Sequence, residues 1–421
     1  LTNEHHSPKN ITPKIWQIIL IAVIAIAFTT LWLKTYESLN TVIWMNEFVK
    51  ANRWTIPVGV ILFTLAVGLC LKYLHAPDVI HGGFSESMKG DGEHGNYKIF
   101  PGTLLSSFFS LYSGASVGPE GPVAFLIIEI SAWTRKKLKI INEAALGFDV
   151  AALASAYNGI IGSPIFTAVF ATEFNVGNKD ALKFLAWNLL AGIIGFLFFS
   201  LLGLQSFASL LAFPPIDQIS VLYVIYAIIL GILGAIIALL MGLLMKGMGK
   251  AMEKAFKNRV MIRILFAGVI IAAVCYCIPE LMFSGESSIH SIILNPAQFG
   301  IALLLIMAVL KVVLLALSFK SGYLGGPIFP TLFTCTMVGL ALSLMFPEVP
   351  VGIFVLCLEV AVITLALGVP LTAILLVAVI SSVNQNMIAL LVISAVVSMV
   401  LGFSLREYRE KQRKQKARTS V

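Results

Sequence analysis

Apolar residues in this chain fall into long unbroken runs. Trp16–Leu33, Ile56–Leu74, Phe184–Leu204, Val221–Leu244, Ile264–Ile278, Phe299–Leu317 and Ile388–Leu401 each approach or reach the roughly 20 residues an α-helix needs to cross a bilayer. A helix that is apolar on every side has no face to turn to water. The pattern therefore predicts an all-α polytopic membrane protein. The first run is not a signal peptide: it is too long, it lacks a small-residue cleavage site, and further spans follow.

One interruption of this pattern differs from an ordinary loop. Ser113–Pro122 reads SGASVGPEGP, which places the ionisable Glu120 among Gly118, Pro119, Gly121 and Pro122, with FPGTLLSSFFSLY before it and VAFLIIEISAW after it. The chain uses the device twice. SLYSGASVGPEGP at Ser110–Pro122 aligns without gaps on SFKSGYLGGPIFP at Ser318–Pro330, an offset of 208. Gly162-Ser163-Pro164 and Gly368-Val369-Pro370 match at an offset of 206. Matches in the same order at nearly one offset, about half the chain, predict two related halves, here about 16–205 and 221–405 of a transmembrane domain spanning 16–405.

Gly/Pro-interrupted apolar segments at corresponding places in two halves point to a transporter's substrate site. Proline is well placed in a helix's first turn, where its missing N–H costs nothing. Pro122 and Pro330 are thus expected in the first turns of helices that begin inside the bilayer. Such a helix start carries orphan N–H groups and about half a positive charge. Lipid cannot satisfy them, whereas an anion satisfies both. Two such starts aimed at one point would make an anion site without Lys or Arg; Lys320 is the nearest basic side chain, and it precedes Gly325-Gly326. The expected anion-binding positions are Gly118, Gly121, Pro122, Gly326, Ile328 and Phe329. Pro119 and Pro327 occupy matched positions, so each half lacks one donor that could have faced the anion.

An intramembrane carboxylate is costly and marks function by default. Ionised, Glu120 could occupy the anion site; protonated, it could swing away and admit an anion. The plain structural alternative is a glutamate that only caps its helix. Ile328 stands at the matched position of the second half, so capping there does not require an acid.

Composition agrees with the pattern. The 421 residues are 58% hydrophobic and only 12% charged, half the charged fraction of a typical soluble domain. The net charge of +8 gathers in Arg135–Lys139, in Lys246–Arg263 and after Leu405, which the positive-inside rule assigns to the cytoplasm. The expected layout is a cytoplasmic N-terminal segment 1–15, a basic cytoplasmic tail 406–421 and a multi-pass location in the cell membrane. The tail reads as a topology signal rather than a nucleic-acid contact. The five cysteines (Cys70, Cys275, Cys277, Cys335, Cys357) lie in or beside apolar runs without metal-ligand spacing and read as packing residues. Neither a metal nor a cofactor is indicated.

These residues carry a family resemblance. Gly118-Pro119-Glu120-Gly121-Pro122 matches the G-x-E-G-P signature of the chloride channel (CLC) family, and Gly325–Pro330 resembles its G-x-F-x-P segment. Asn158–Pro164 with the following IFTAVFATEF is similar to its helix bearing intracellular carboxylates. The resemblance covers roughly Trp16–Leu405. It implies a homodimer with one anion pathway per subunit, halves of inverted topology with broken intramembrane helices, and Glu120 as the external gating glutamate. A short, divergent, prokaryotic-type member is implied, without a regulatory nucleotide-binding domain.

The departures concern anion ligands. Where the family has G-S-G-I-P the chain reads Tyr73-Leu74-His75-Ala76-Pro77, with Leu74 at the serine. Ile328 stands where the second motif's Phe is expected, with Phe329 one place on. The family's C-terminal tyrosine has no match; Tyr408 is merely nearby. The resemblance implies transport of chloride or another small anion through a lipid bilayer, by a channel or a proton-coupled antiporter. Glu173 is a possible internal proton acceptor, Phe174 filling the family's position, while Glu129 and Glu359 are further acids in apolar runs. A fluoride/proton antiporter of the same fold is the alternative, with a secondary transporter of another solute behind it. An intramembrane enzyme is disfavoured: His75, His81, His94, His290 and the serines of Ser284–Ser287 show no nucleophile–base spacing.

Overall fold

The computed structural model describes residues 13–78, 96–140, 143–174, 181–204, 213–257 and 259–419. His81–Gly83, His94 and most of the N-terminal segment lie outside them. The described residues form helices α1 (Ile15–Trp44), α2 (Glu47–Ala51), α3 (Thr55–Tyr73), α4 (Phe100–Tyr112), α5 (Glu120–Leu138), α6 (Glu143–Ala156), α7 (Asn158–Ile161), α8 (Pro164–Glu173) and α9 (Ala181–Leu201). The second half continues with α10 (Val221–Phe256), α11 (Val260–Cys277), α12 (Glu286–Leu294), α13 (Pro296–Ser321), α14 (Ile328–Met345), α15 (Val351–Leu367), α16 (Pro370–Ile380) and α17 (Gln385–Thr419).

Each predicted run lies largely within a helix, and nine described stretches are long and apolar enough to span a membrane. Two of them, Ala144–Ile161 and Ile328–Met345, escape a search for greasy runs for a physical reason. Ala144–Ile161 is almost wholly buried and has a mean hydropathy of only 1.4. A helix surrounded by protein packs through alanine, glycine and serine and need not be as apolar as one facing lipid. Outer helices show the converse: Leu201, Val221 and Leu371 are exposed apolar side chains. The basic tail is a continuation of α17; its Arg, Lys, Glu and Gln are good helix formers.

Small residues bring helices close. A methyl added at Gly234 would press on the Cβ of Ala361, and one at Gly231 would meet Ser394 and Val397, so α10 approaches α15 and α17 through glycine faces. Ser394 and Ser398 then donate across to the Cys357 and Ala361 carbonyls, each at 2.8 Å. In the first half, buried Arg135 near the end of α5 donates through Nε to Asp149 Oδ1 of α6 at 2.8 Å, and Ser131 donates to the same oxygen.

Broken helices sit in the middle of the fold. α5 and α14 each begin after a proline, Pro119 or Pro327, and Pro122 and Pro330 are the third residue of each. Before each start the chain is non-helical and buried, and glycine there lets two backbones meet where a side chain would keep them apart.

Candidate functional site

The two motifs that match in sequence meet in space. Gly118 and Gly326, separated by the repeat offset, form an isolated antiparallel pair: each N–H donates to the other's carbonyl at 2.8 Å. The side chains around them reciprocate. The Ser116 N–H donates to Ser318 Oγ at 3.1 Å, and the Leu324 N–H donates to Ser110 Oγ at 3.0 Å. Position 116 corresponds to 324 and 110 to 318 under the same offset, so a local two-fold relates the junction. The serines supply acceptors that backbone leaving a helix in an apolar interior would otherwise lack.

This junction departs from two helix starts jointly facing an empty point. In this conformation the N–H groups of Gly118 and Gly326 serve each other. The start of α14 is filled from across the junction: Glu120 Oε1 accepts from the Ile328 N–H at 2.6 Å. Glu120 is 1% exposed. Its carboxyl group therefore occupies the positive end of the other half's helix, where the Ile328 N–H and the helix dipole are placed to favour a negative charge.

Glycines shape this seat. A Cβ on Gly118 would run into Glu120 Oε2, and one on Gly326 into Glu120 Cδ and Cγ. A Cβ on Gly121 would overlap the Gly325 carbonyl, a backbone obstacle that cannot rotate away. Tyr157, between α6 and α7, fixes the first turn of α5: its buried hydroxyl donates to the Glu120 carbonyl at 2.6 Å. The main chain of Glu120 is pinned while its carboxylate hangs on a flexible side chain, a geometry suited to a side chain that swings.

The other acids have different surroundings. Glu173, at the end of α8, accepts from the Leu371 N–H at 3.0 Å and the Thr372 N–H at 2.7 Å. It thus caps α16, which follows the Gly-x-Pro match of the second half. Glu129 accepts from Thr103 Oγ1 at 2.6 Å, and Glu359 from Thr336 Oγ1 at 3.0 Å. Both are buried and held by neutral hydroxyls.

A protein-family model described as the voltage-gated chloride channel matches residues 63–402, the greater part of the chain. The chain belongs to the voltage-gated chloride channel family. Curated relatives include an ion-transport protein, YfeO, of Escherichia coli O1:K1 / APEC and its counterpart in Shigella boydii serotype 4 (strain Sb227). Each is 26% identical over 314 residues, or 71% of either chain. Among solved structures, a slow cyanobacterial Cl⁻/H⁺ antiporter superposes with a TM-score of 0.77 at 16% identity, over 95% of this chain and 96% of that one. A CLC-type fluoride/proton antiporter gives 0.73 at 19% identity, over 92% and 94%. At these identities the structures establish a shared fold, and the family match makes the chain an anion transporter of that fold.

Within the voltage-gated chloride channel family's pattern, the sequence departures take a definite form. Leu74, at the serine position, is exposed, and His75 beside it has a left-handed φ of 54°. Asp78 just beyond pairs with buried Arg263 of α11 (Nη2 to Oδ2, 2.6 Å), whose Nε donates to the Ser321 carbonyl at 3.1 Å. Tyr408 is exposed on the tail of α17 and accepts from Gln412, away from the junction.

Sequence reading missed Lys311. It lies within the run Phe299–Leu317 and is 0% exposed. Its ammonium donates to the Leu281 and Phe283 carbonyls at 3.1 and 2.7 Å and sits 4.8 Å from the centre of the Phe333 ring on α14. Phe283 and Gly285 wrap around it with left-handed φ of 58° and 92°. The signal was available: a lone lysine in an apolar span is costly enough to call for an explanation.

Proposed function

We propose that this protein moves chloride across the cell membrane along a pathway gated by Glu120, and that protonation of Glu120 opens it. The observation that carries this reading is the carboxylate seated on the Ile328 N–H at the start of α14. That seat has the donors and dipole an anion needs, and an ionised Glu120 competes for it. Protonation removes the charge that the seat holds, so an anion displaces the neutral side chain more easily. The sign follows: flux rises as pH falls. Gly118, Gly121, Pro122, Gly326, Ile328 and Phe329 surround the exchange; Ile328 and Phe329 supply donors, and the glycines leave room.

Glu173 is proposed as the internal proton acceptor, in series with Glu120. It caps α16 through the Leu371 and Thr372 N–H groups, and it lies in the segment of α8 that resembles the family's carboxylate-bearing helix. Antiport with protons, a homodimeric assembly and cytoplasmic termini with the basic segments inside belong to the same proposal. Fluoride is the second reading, supported by the fold shared with a fluoride/proton antiporter.

The test is reconstitution in liposomes with chloride, fluoride and proton flux followed together for wild type, Glu120→Gln and Glu173→Gln. Wild type is expected to move an anion faster at acid pH. Glu120→Gln is expected to keep anion flux and lose its pH dependence, because the amide can neither carry charge into the seat nor lose it. Glu173→Gln is expected to keep anion flux and lose proton flux. Neither anion moving above protein-free vesicles would overturn the reading, as would a Glu120→Gln variant with the wild-type pH profile. Anion flux without proton flux in wild type would remove the antiport part alone.

A further inference from the structure

Glu286 is a carboxylate that neither the gate nor the proposed internal acceptor uses. It is the first residue of α12 and follows the turn Leu281–Gly285. Lys311 holds that turn by donating to the Leu281 and Phe283 carbonyls. The turn is fastened to both parts of the gate. Its Phe283 N–H donates to the Gly114 carbonyl at 3.2 Å, and Gly114 lies in the break that runs on to Gly118 and Glu120. Gly285 lies against α14, so closely that a Cβ there would press on the Phe333 ring. α14 is the helix whose Ile328 N–H binds Glu120. The segment bearing Glu286 is thus bonded to one element of the seat and packed on the other.

That segment also lies toward one face of the membrane. α11 starts beside the basic Arg259 and ends at Cys277, after a length sufficient to span. The turn that follows is therefore opposite the basic loop, on the external face in the orientation proposed above. Ser287 is exposed and Glu286 half-buried, yet Glu286 Oε2 is shut off from solvent and has no hydrogen-bond partner among the described residues. Such an oxygen is costly to bury and asks for a role. The charges of Glu120, Lys311 and Glu37 all act on Glu286, and Glu286 acts on Tyr36 of α1. α14 presents Phe333 to this corner, and His290 on α12 itself is exposed. Glu37 is partly exposed and pairs with Lys34 at 3.6 Å. Carboxyl groups therefore stand at three depths: Glu37 at the surface, Glu286 half-buried, and Glu120 at 1% exposure.

We propose that Glu286 is the outer proton relay of the gate, taking a proton from external water and passing it to Glu120. The proposal rests on the reading of Glu120 as a protonatable gate and adds the group through which external protons reach it. In the transfer the O–H bond of the Glu286 carboxyl breaks and the proton joins a Glu120 carboxylate oxygen. Glu286 is left as a carboxylate, and the next external proton neutralises it. Both ends of the relay have a free oxygen, because Glu120 Oε2 also lacks a partner among the described residues while Oε1 holds the Ile328 N–H. The two carboxyls share no hydrogen bond among the described residues, so one water or a change of rotamer carries the proton between them.

The experiment sets the pH of each face separately. Right-side-out and inverted membrane vesicles from expressing cells each present a single face to the bath. Wild-type chloride flux is expected to rise when the external face is acidified. Glu286→Gln is close to the native side chain in size but cannot titrate. It is expected to cut that external response by about tenfold or more while the response to internal pH remains. Glu286→Ala is expected to behave alike and serves if the glutamine variant is not monodisperse. Glu286→Asp, which keeps a carboxyl, is expected to restore part of the external response. A titration-dead variant with the wild-type external response overturns the relay. So does one whose internal and external responses fall together, which gives Glu286 a structural part, and so does a wild type indifferent to external pH. Glu120→Gln in the same vesicles separates the two readings, since it is expected to abolish the response at both faces. If it does so while Glu286→Gln responds as wild type, the gate stands and only the relay falls. If Glu120→Gln keeps the wild-type response at both faces, gate and relay fall together.

Discussion

Gly326→Ala is expected to hold the gate open with its acid chemically intact. The added methyl would stand where Glu120 Cδ and Cγ now lie. Those atoms are the far part of a flexible side chain, so the side chain yields rather than the backbone. The bridge to Gly118 uses main-chain atoms only and survives the change. What is lost is the carboxylate's hold on the Ile328 N–H. A hydrogen bond to a charged group contributes about 1.5–3 kcal/mol, so its loss shifts the balance between seated and released carboxylate by roughly tenfold to a hundredfold. Anion flux at neutral pH is expected to rise toward its acid-pH level and to vary less than about twofold between pH 5 and pH 8. A Gly326→Ala protein that keeps the wild-type pH profile would show that the seat seen here does not control passage. Gly121→Ala is the contrasting control, because its methyl meets the fixed Gly325 carbonyl and is expected to disrupt the junction instead of freeing the side chain.

Much of this junction could be read from the chain. The offset of 208 was visible as a match of Gly, Ser and Pro, and in the fold the same offset relates the residues that bond across the two-fold. Serines and glycines that look like filler in a membrane sequence are the groups that close this backbone. The proline-marked helix starts were legible too, because a proline's missing N–H has only a few comfortable places. The reach of Glu120 across to Ile328 was not legible. It joins residues 208 apart, and no local pattern encodes which helix start a flexible carboxylate will choose. Tyr157 was equally hidden, since a buried tyrosine reads as core until its hydroxyl is seen to find the Glu120 carbonyl. α6 and α16 were obscured for the opposite reason: one is surrounded by protein and the other is short, so neither produces a long greasy run.

Asp149→Ala is expected to destabilise the first half more than any surface substitution. Asp149 is fully buried, and its Oδ1 takes hydrogen bonds from Arg135 Nε and Ser131 Oγ. Arg135 is itself buried, so removing the carboxylate takes an anionic partner from a guanidinium in a low-dielectric interior. Breaking one side of such a pair costs about 3–5 kcal/mol, whereas replacing both partners by apolar groups is often neutral. Arg135→Met combined with Asp149→Leu is therefore expected to regain most of what Asp149→Ala loses. The measurement is unfolding in detergent of wild type, both single variants and the double variant, with the interaction taken from the cycle. The pair joins α5 to α6, and α5 begins with Glu120 while α6 leads to Tyr157. Loss of the pair should thus also loosen the Tyr157 hydroxyl from the Glu120 carbonyl and blur the pH dependence of flux in whatever protein remains folded. If Asp149→Ala unfolds at the wild-type midpoint, the pair contributes little, and the position of Glu120 is held by Tyr157 and the Gly118–Gly326 bridge alone.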